Sequence, residues 1–184
     1  DNYNCSVARP SFQKNVELTI EVISQVKEQI ASIHIVIMGV GFHSPTLEKV
    51  TNLIKLYGLE ENVTLLPWTE REDIFHIINK ASLYISTARY EGLPYAVIEA
   101  MALKKSFVVT DADGNRDLIE DGENGYLVKD ENSAAFATKI IALLEEEQTR
   151  KVFENKSIEK FNARFNIENT IPILEQLYLK EALN

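Results

Sequence analysis

A doubly wound α/β fold with one parallel sheet of about six strands is what this sequence predicts. Short apolar runs of strand length recur along the chain, and the segments between them carry apolar residues at helical spacing. Glycine and proline punctuate the joints between the two kinds of segment. Regular alternation of strand and helix favours a parallel sheet with helices on both faces. Strands are expected at 6–8, 33–38, 63–66, 83–86, 107–110 and 126–128.

The helices follow from the same pattern. Val16, Ile20, Ile23, Val26 and Ile30 make one apolar stripe, and Ala137, Ile140, Ile141 and Leu144 make another. Ser44-Pro45 predicts a helix start, with a capping hydroxyl followed by proline at the first helical position, and Gly58 predicts its end. From Thr149 onward the pattern is helical without strands. Ile171, Leu174, Leu177 and Tyr178 form a stripe there that is expected to bury, so 149–184 reads as a packed helical tail. With 184 residues, 45% of them hydrophobic, and no linker, repeat or low-complexity tract, 1–184 is expected to be one well-cored domain.

Charge and composition narrow the function. The formal charge is −9, from 28 acidic and 19 basic residues, and no basic stripe is present, so nucleic acid is not an expected partner. An anion site in this acidic chain must be a local cluster of donors. Cys5 is the sole cysteine and His34, His43 and His76 are scattered, so no metal site is expected. The lone cysteine fits a reducing cytoplasm. No apolar stretch approaches the roughly 20 residues that span a bilayer. The opening Asp1-Asn2-Tyr3-Asn4 lacks the charged and apolar regions of a signal peptide. A cytoplasmic place is expected, with membrane contact at most peripheral.

In a doubly wound sheet, ligands lie beyond the carboxyl ends of the strands, so function is expected on the loops that follow them. After the fourth strand come Arg89-Tyr90-Glu91-Gly92-Leu93-Pro94 and then a helix reading Tyr95-Ala96-Val97-Ile98-Glu99-Ala100-Met101-Ala102. Glu91 falls in the loop and Glu99 about one turn inside the helix, where they can face one ligand from two directions. The unpaired amides and partial positive charge of the helix start are a natural seat for phosphate. By spacing alone, the pair also fits two surface glutamates.

Arg9 and Lys14 flank the loop after the first strand, over the same crevice. Each can donate charge-assisted bonds to a diphosphate, worth about 1.5 to 3 kcal/mol apiece. Taken singly, each also reads as a solvated surface residue. Gly39 and Gly41 after the second strand permit a tight turn and close backbone approach to a ligand. Ser44 stands where a dinucleotide fingerprint needs its third glycine, which argues against NAD. Asp113-Gly114-Asn115-Arg116-Asp117 reads either as an anion nest or as an ordinary strand-to-helix turn. Trp68 reads either as a stacking platform for a base or as a packed core or rim residue.

In this order the segments resemble one family, the retaining glycosyltransferases of the GT-B fold, of the group 1 type also termed glycosyltransferase family 4. The resemblance runs from Val7-Ala8-Arg9 and Lys14 through Gly39-Val40-Gly41 to the Glu-x7-Glu motif of Glu91 and Glu99. It continues through Gly114-Asn115-Arg116-Asp117, similar to bacterial capsule and lipopolysaccharide enzymes, to the stretch from Asp121 to Val128. It implies a Rossmann-like donor-binding C-terminal domain that lacks its N-terminal acceptor domain. It also implies that Arg9 and Lys14 bind the diphosphate of a nucleotide sugar, Glu91 contacts the sugar, and Glu99 holds the ribose hydroxyls. Leu93, Pro94, Ala96, Val97, Gly114 and Asn115 would line the site mainly with backbone atoms.

Transfer with retention to a saccharide or lipid-linked acceptor is the implied activity, with no cofactor required. A non-catalytic sugar-nucleotide-binding module or partner subunit, and a sugar-nucleotide epimerase, remain open beside it. The chain departs from the family pattern at Lys104 and Ser106, where glycine and proline are common, and at Ala88, where serine is frequent. These departures leave donor preference open.

Overall fold

The computed structural model describes residues 3–182. Asp1 and Asn2 of the polar opening, and Leu183 and Asn184 of the expected tail, lie outside them. Six strands alternate with helices in the order β1 (Asn4–Val7), α1 (Val16–Lys27), β2 (Ile35–Met38), α2 (Leu47–Leu56), β3 (Val63–Leu66), α3 (Arg71–Lys80), β4 (Leu83–Ser86), α4 (Tyr95–Ala102), β5 (Ser106–Thr110), α5 (Asp113–Arg116), β6 (Gly125–Val128) and α6 (Ser133–Glu145). Two helices close the described chain, α7 (Glu147–Arg164) and α8 (Ile167–Ala182).

All strands are parallel, in the order β3-β2-β1-β4-β5-β6. This is the doubly wound, Rossmann-like arrangement expected, with its reversal of strand order between β1 and β4. Alternate side chains of each strand feed separate cores. Ile35, Ile37, Ile85 and Val108 join α1 and α6 residues such as Ile20, Ile23, Phe136 and Ile140 on one face. Met38, Tyr84, Phe107 and Val109 join Ile78 of α3 and Val97 and Met101 of α4 on the other.

Some boundaries differ from expectation for local reasons. β1 starts at Asn4 and ends before Ala8, because Asn4 pairs with Ile35 in register and Cys5 is fully buried. Ser44 does not cap α2. Its hydroxyl accepts from the Gly41 amide at 3.1 Å instead, and α2 begins after Thr46 with no side-chain cap. A short polar side chain bonding its own nearby backbone competes with capping in this way. Gly58 ends α2 as expected, with a φ of +61° that suits a residue without Cβ. Lys104 occupies the same left-handed region after α4, at φ +57°, which gives a physical reason for glycine being common there.

The tail divides into two parts. α7 packs on α4 and β5, placing Phe153 in the first core and Phe161 against the second. α8 packs chiefly on α7, and its stripe of Ile171, Leu174, Leu177 and Tyr178 is exposed. The helical tail is present and α7 packs, but the stripe expected to bury is exposed among the described residues. α7 takes the places against α4 and β5.

Candidate functional site

The reversal of strand order sets the position of the site. From the adjacent strands β1 and β4 the chain leaves toward α1 and α4, which pack on opposite faces of the sheet. Their loops part at the carboxyl ends and leave a crevice. Lys14 comes from the first loop and Glu91 from the second, and Lys14 Nζ donates to Glu91 Oε1 across it. The Glu91 side chain is only 8% exposed, so the ammonium compensates a carboxylate largely withdrawn from water.

A cavity of about 240 Å³ opens at this ion pair, lined by Lys14, Glu91, Leu93, Pro94, Ala96 and Val97 together with Val7, Tyr84, Ser86 and Tyr95. Six residues singled out in the sequence are thus brought together. Burial pushes the Tyr84 phenol far up from its ordinary range and keeps it neutral in the cavity wall. A larger open trough of about 600 Å³ runs along α2, but its charged side chains, Glu48 and Lys49, stand exposed in solvent. Convergent, partly buried polar groups mark the smaller cavity as the candidate site.

The start of α4 adds a second source of positive potential. Pro94 holds the N-cap position, no side chain caps the helix, and no acidic residue lies in its first turn. Helix geometry leaves its first amides without intrahelical acceptors, so the positive end of the helix dipole lies beside the cavity without a capping side chain. Glu99, further along α4, is outside that cavity. Its Oε1 accepts from Arg71 Nη2 of α3 at 2.6 Å, and the Arg71 guanidinium lies over the Phe75 ring. Two carboxylates thus face two cations at separate points. Arg71 was invisible to sequence reasoning, since 28 residues separate it from Glu99 and no local pattern links them.

The remaining residues are arranged around this centre. Gly114 donates its amide to Glu91 O at 3.0 Å. A Cβ on Gly114 would come within 2.8 Å of Glu91 O and closer still to Gly92 O, so only glycine lets the turn after β5 back the Glu91 loop. Asn115 is fully buried, its side-chain amide donating to Thr110 O at 2.9 Å, which holds it against the end of β5. Arg9 is exposed on the loop after β1. Gly39, at φ +91°, lies beside the Arg9 backbone and the Trp68 ring, and Gly41 closes its turn on Ser44. Trp68 is an exposed rim residue. Among the described residues, no three His, Cys, Asp or Glu side chains gather as metal ligands.

Residues 1–160 match the family model described as glycosyl transferases group 1. The chain belongs to this family. Among curated relatives of this chain, the poly(ribitol-phosphate) alpha-N-acetylglucosaminyltransferase of Staphylococcus aureus (strain COL) is 30% identical over 166 residues, which cover 90% of this chain and 33% of the relative. A crystal structure of a mutant of S. aureus TarM, in complex with fondaparinux, alpha-GlcNAc-glycerol and UDP, is 28% identical with a TM-score of 0.85. It covers 96% of this chain and 35% of that one. The C-terminal domain of the group 1 protein LpcC from Francisella tularensis shares the fold at 21% identity and a TM-score of 0.79, covering 90% of this chain and 87% of that one. The group 1 domain spans less than half the length of the curated relatives it matches. The fold is that of GT-B glycosyltransferases, as the motifs had implied.

Proposed function

We propose that this chain is the donor-binding half of a retaining glycosyltransferase that moves a sugar from a nucleotide diphosphate sugar to a saccharide or lipid-linked acceptor. The observation that carries the reading is that Lys14 and the uncapped start of α4 line one cavity at the point where the strand order reverses. A diphosphate there receives charge-assisted bonds from Lys14 and Arg9 and the positive end of a helix dipole, in a chain otherwise strongly acidic. These groups stabilise the leaving diphosphate electrostatically, the role a divalent ion plays in other transferases. Glu91, beside Lys14 in the cavity, faces the sugar, and Glu99 holds the ribose. Leu93, Pro94, Ala96 and Val97 wall the sugar pocket, while Gly39 and Gly41 let the nucleotide approach the backbone.

UDP in the related TarM structure supports a nucleotide-sugar donor, and the alpha linkage named for the S. aureus relative fits retention from an α-configured donor. The whole enzyme pairs this half with an N-terminal acceptor domain, a reading supported by the share of its relatives that the chain spans. It works in the cytoplasm, at the inner membrane face when the acceptor is lipid-linked. Sugar transfer by the chain alone and by the chain joined to an acceptor domain tests this, with the anomeric configuration followed by NMR. Transfer with retention is expected only from the joined protein, because orienting two reactants supplies roughly 7 to 11 kcal/mol of barrier lowering. Full transfer by the chain alone, or an inverted product, would contradict the reading.

A further inference from the structure

We propose that Arg89, Glu131 and Asn15 form a clasp that fixes the loop between β1 and α1, making Arg89 and Glu131 positioning residues for Lys14. The inference rests on the donor-site reading for what Lys14 binds. That loop carries both proposed phosphate cations, Arg9 and Lys14, and the clasp fastens it from two sides. On one side, the Arg89 amide donates to Gln13 O at 2.8 Å and Arg89 Nη1 donates to Phe12 O at 2.6 Å. The guanidinium also lies over the Phe12 ring, 4.3 Å from its centroid. On the other side, Arg89 Nε and Nη2 donate to the two oxygens of Glu131 at 2.8 and 3.0 Å. Glu131 Oε2 accepts in addition from Asn15 Nδ2 at 2.9 Å, at the residue next to Lys14.

The backbone carries a separate sign of the same device. Asn15, Asp130 and Glu131 have φ values of +48°, +58° and +50°, a region disfavoured for residues with a Cβ. Such conformations persist only where surrounding contacts over-determine them, and they gather at ligand sites. Two of these three residues supply side chains of the clasp. Thr87 adds a further tie, its hydroxyl donating to Asn15 O at 2.9 Å. Lys14 has a flexible four-carbon stem, and holding its backbone lowers the ordering cost of presenting the ammonium to a ligand. Arg89 spends its fork on Glu131, so its role is exerted through the loop.

The test is isothermal titration with whichever of UDP, GDP and ADP binds the protein best, for Arg89→Ala and Glu131→Ala, each with and without Lys14→Ala. Each clasp variant alone is expected to weaken binding about three- to thirtyfold, while in the Lys14→Ala background the same change costs less than about twofold. Arg89→Lys, which keeps the charge and loses the fork, restores only part of the affinity, and with Glu131→Gln it serves where an alanine variant does not fold. Thermal midpoints should fall equally in both backgrounds, so a purely structural role would give losses that add. Additive losses overturn the clasp. A weakened Arg89→Ala beside an unchanged or tighter Glu131→Ala also overturns it, by assigning Arg89 to the ligand directly. Neutral clasp variants beside a weakened Lys14→Ala sink the clasp alone, whereas no binding of any of the three nucleotides by the wild type sinks it together with the donor-site reading.

Discussion

Between β1 and β4 the chain withdraws charge from water, whereas along α8 it leaves apolar side chains in it. Glu91 is nearly buried against Lys14, and its loop is backed by Gly114 and flanked by Arg89. Ile171, Leu174, Leu177 and Tyr178 lie on one helix with solvent around them. The main packing lies in the two buried cores that flank the sheet, the second of which reaches the crevice wall at Tyr84 and Val97. On the proposed reading the crevice gathers polar side chains for a ligand, whereas the apolar stripe of α8 stands exposed among the described residues. Substitutions in the core should therefore change stability, those in the crevice binding, and those on α8 neither.

The largest effect should come from Phe153, the buried anchor of α7, whose ring meets Tyr126 edge-on at 5.3 Å between centroids. Phe153→Ala is expected to cost about 3 to 5 kcal/mol in chemical denaturation. A loss as small as that of an α8 variant would erase the contrast between the two tail helices. Gly114→Ala comes next, because the added Cβ meets two backbone carbonyls that no rotamer change can relieve. It should cost about 1 to 3 kcal/mol of stability and also weaken nucleotide binding by moving the Glu91 loop. Unchanged binding would separate the turn after β5 from the site.

The two glutamates should differ. Glu99→Gln is expected to weaken a bare nucleoside diphosphate and its sugar alike by about 1.5 kcal/mol, while Glu91→Gln spares the bare nucleotide and affects the sugar-bearing ligand. Equal losses on the bare nucleotide would merge the two proposed roles. The smallest effect belongs to α8, where Leu177→Ser should shift stability by less than about 0.5 kcal/mol. A large loss there would mean that the stripe is covered in the protein as it stands.

Much of this was legible in the sequence because the short apolar runs at 33–38, 83–86 and 107–110 and the stripe from Val16 to Val26 have the lengths and periods of buried strands and a core-facing helix. The alternation placed the crevice after the strands, and the motifs placed Lys14 and Glu91 within it, though 77 residues part them. Contacts between loops were not legible. Glu131 reaches Asn15 across 116 positions, and nothing periodic foretells where a loop brings its side chain. The α8 stripe was read correctly as amphipathic, but amphipathicity says that a face tends to bury and not against what. Ser44 misled because one hydroxyl can serve either a helix start or a neighbouring turn.

Calorimetric titration of UDP, GDP and ADP with a chelator present, on the wild type and on Lys14→Ala, decides whether the crevice between β1 and β4 grips a diphosphate. At least one nucleotide should bind the wild type without metal, and Lys14→Ala should weaken it by about 1.5 to 3 kcal/mol, or one to two decades. Binding only with a divalent ion, or an affinity untouched by the loss of Lys14 in a folded variant, would contradict that grip.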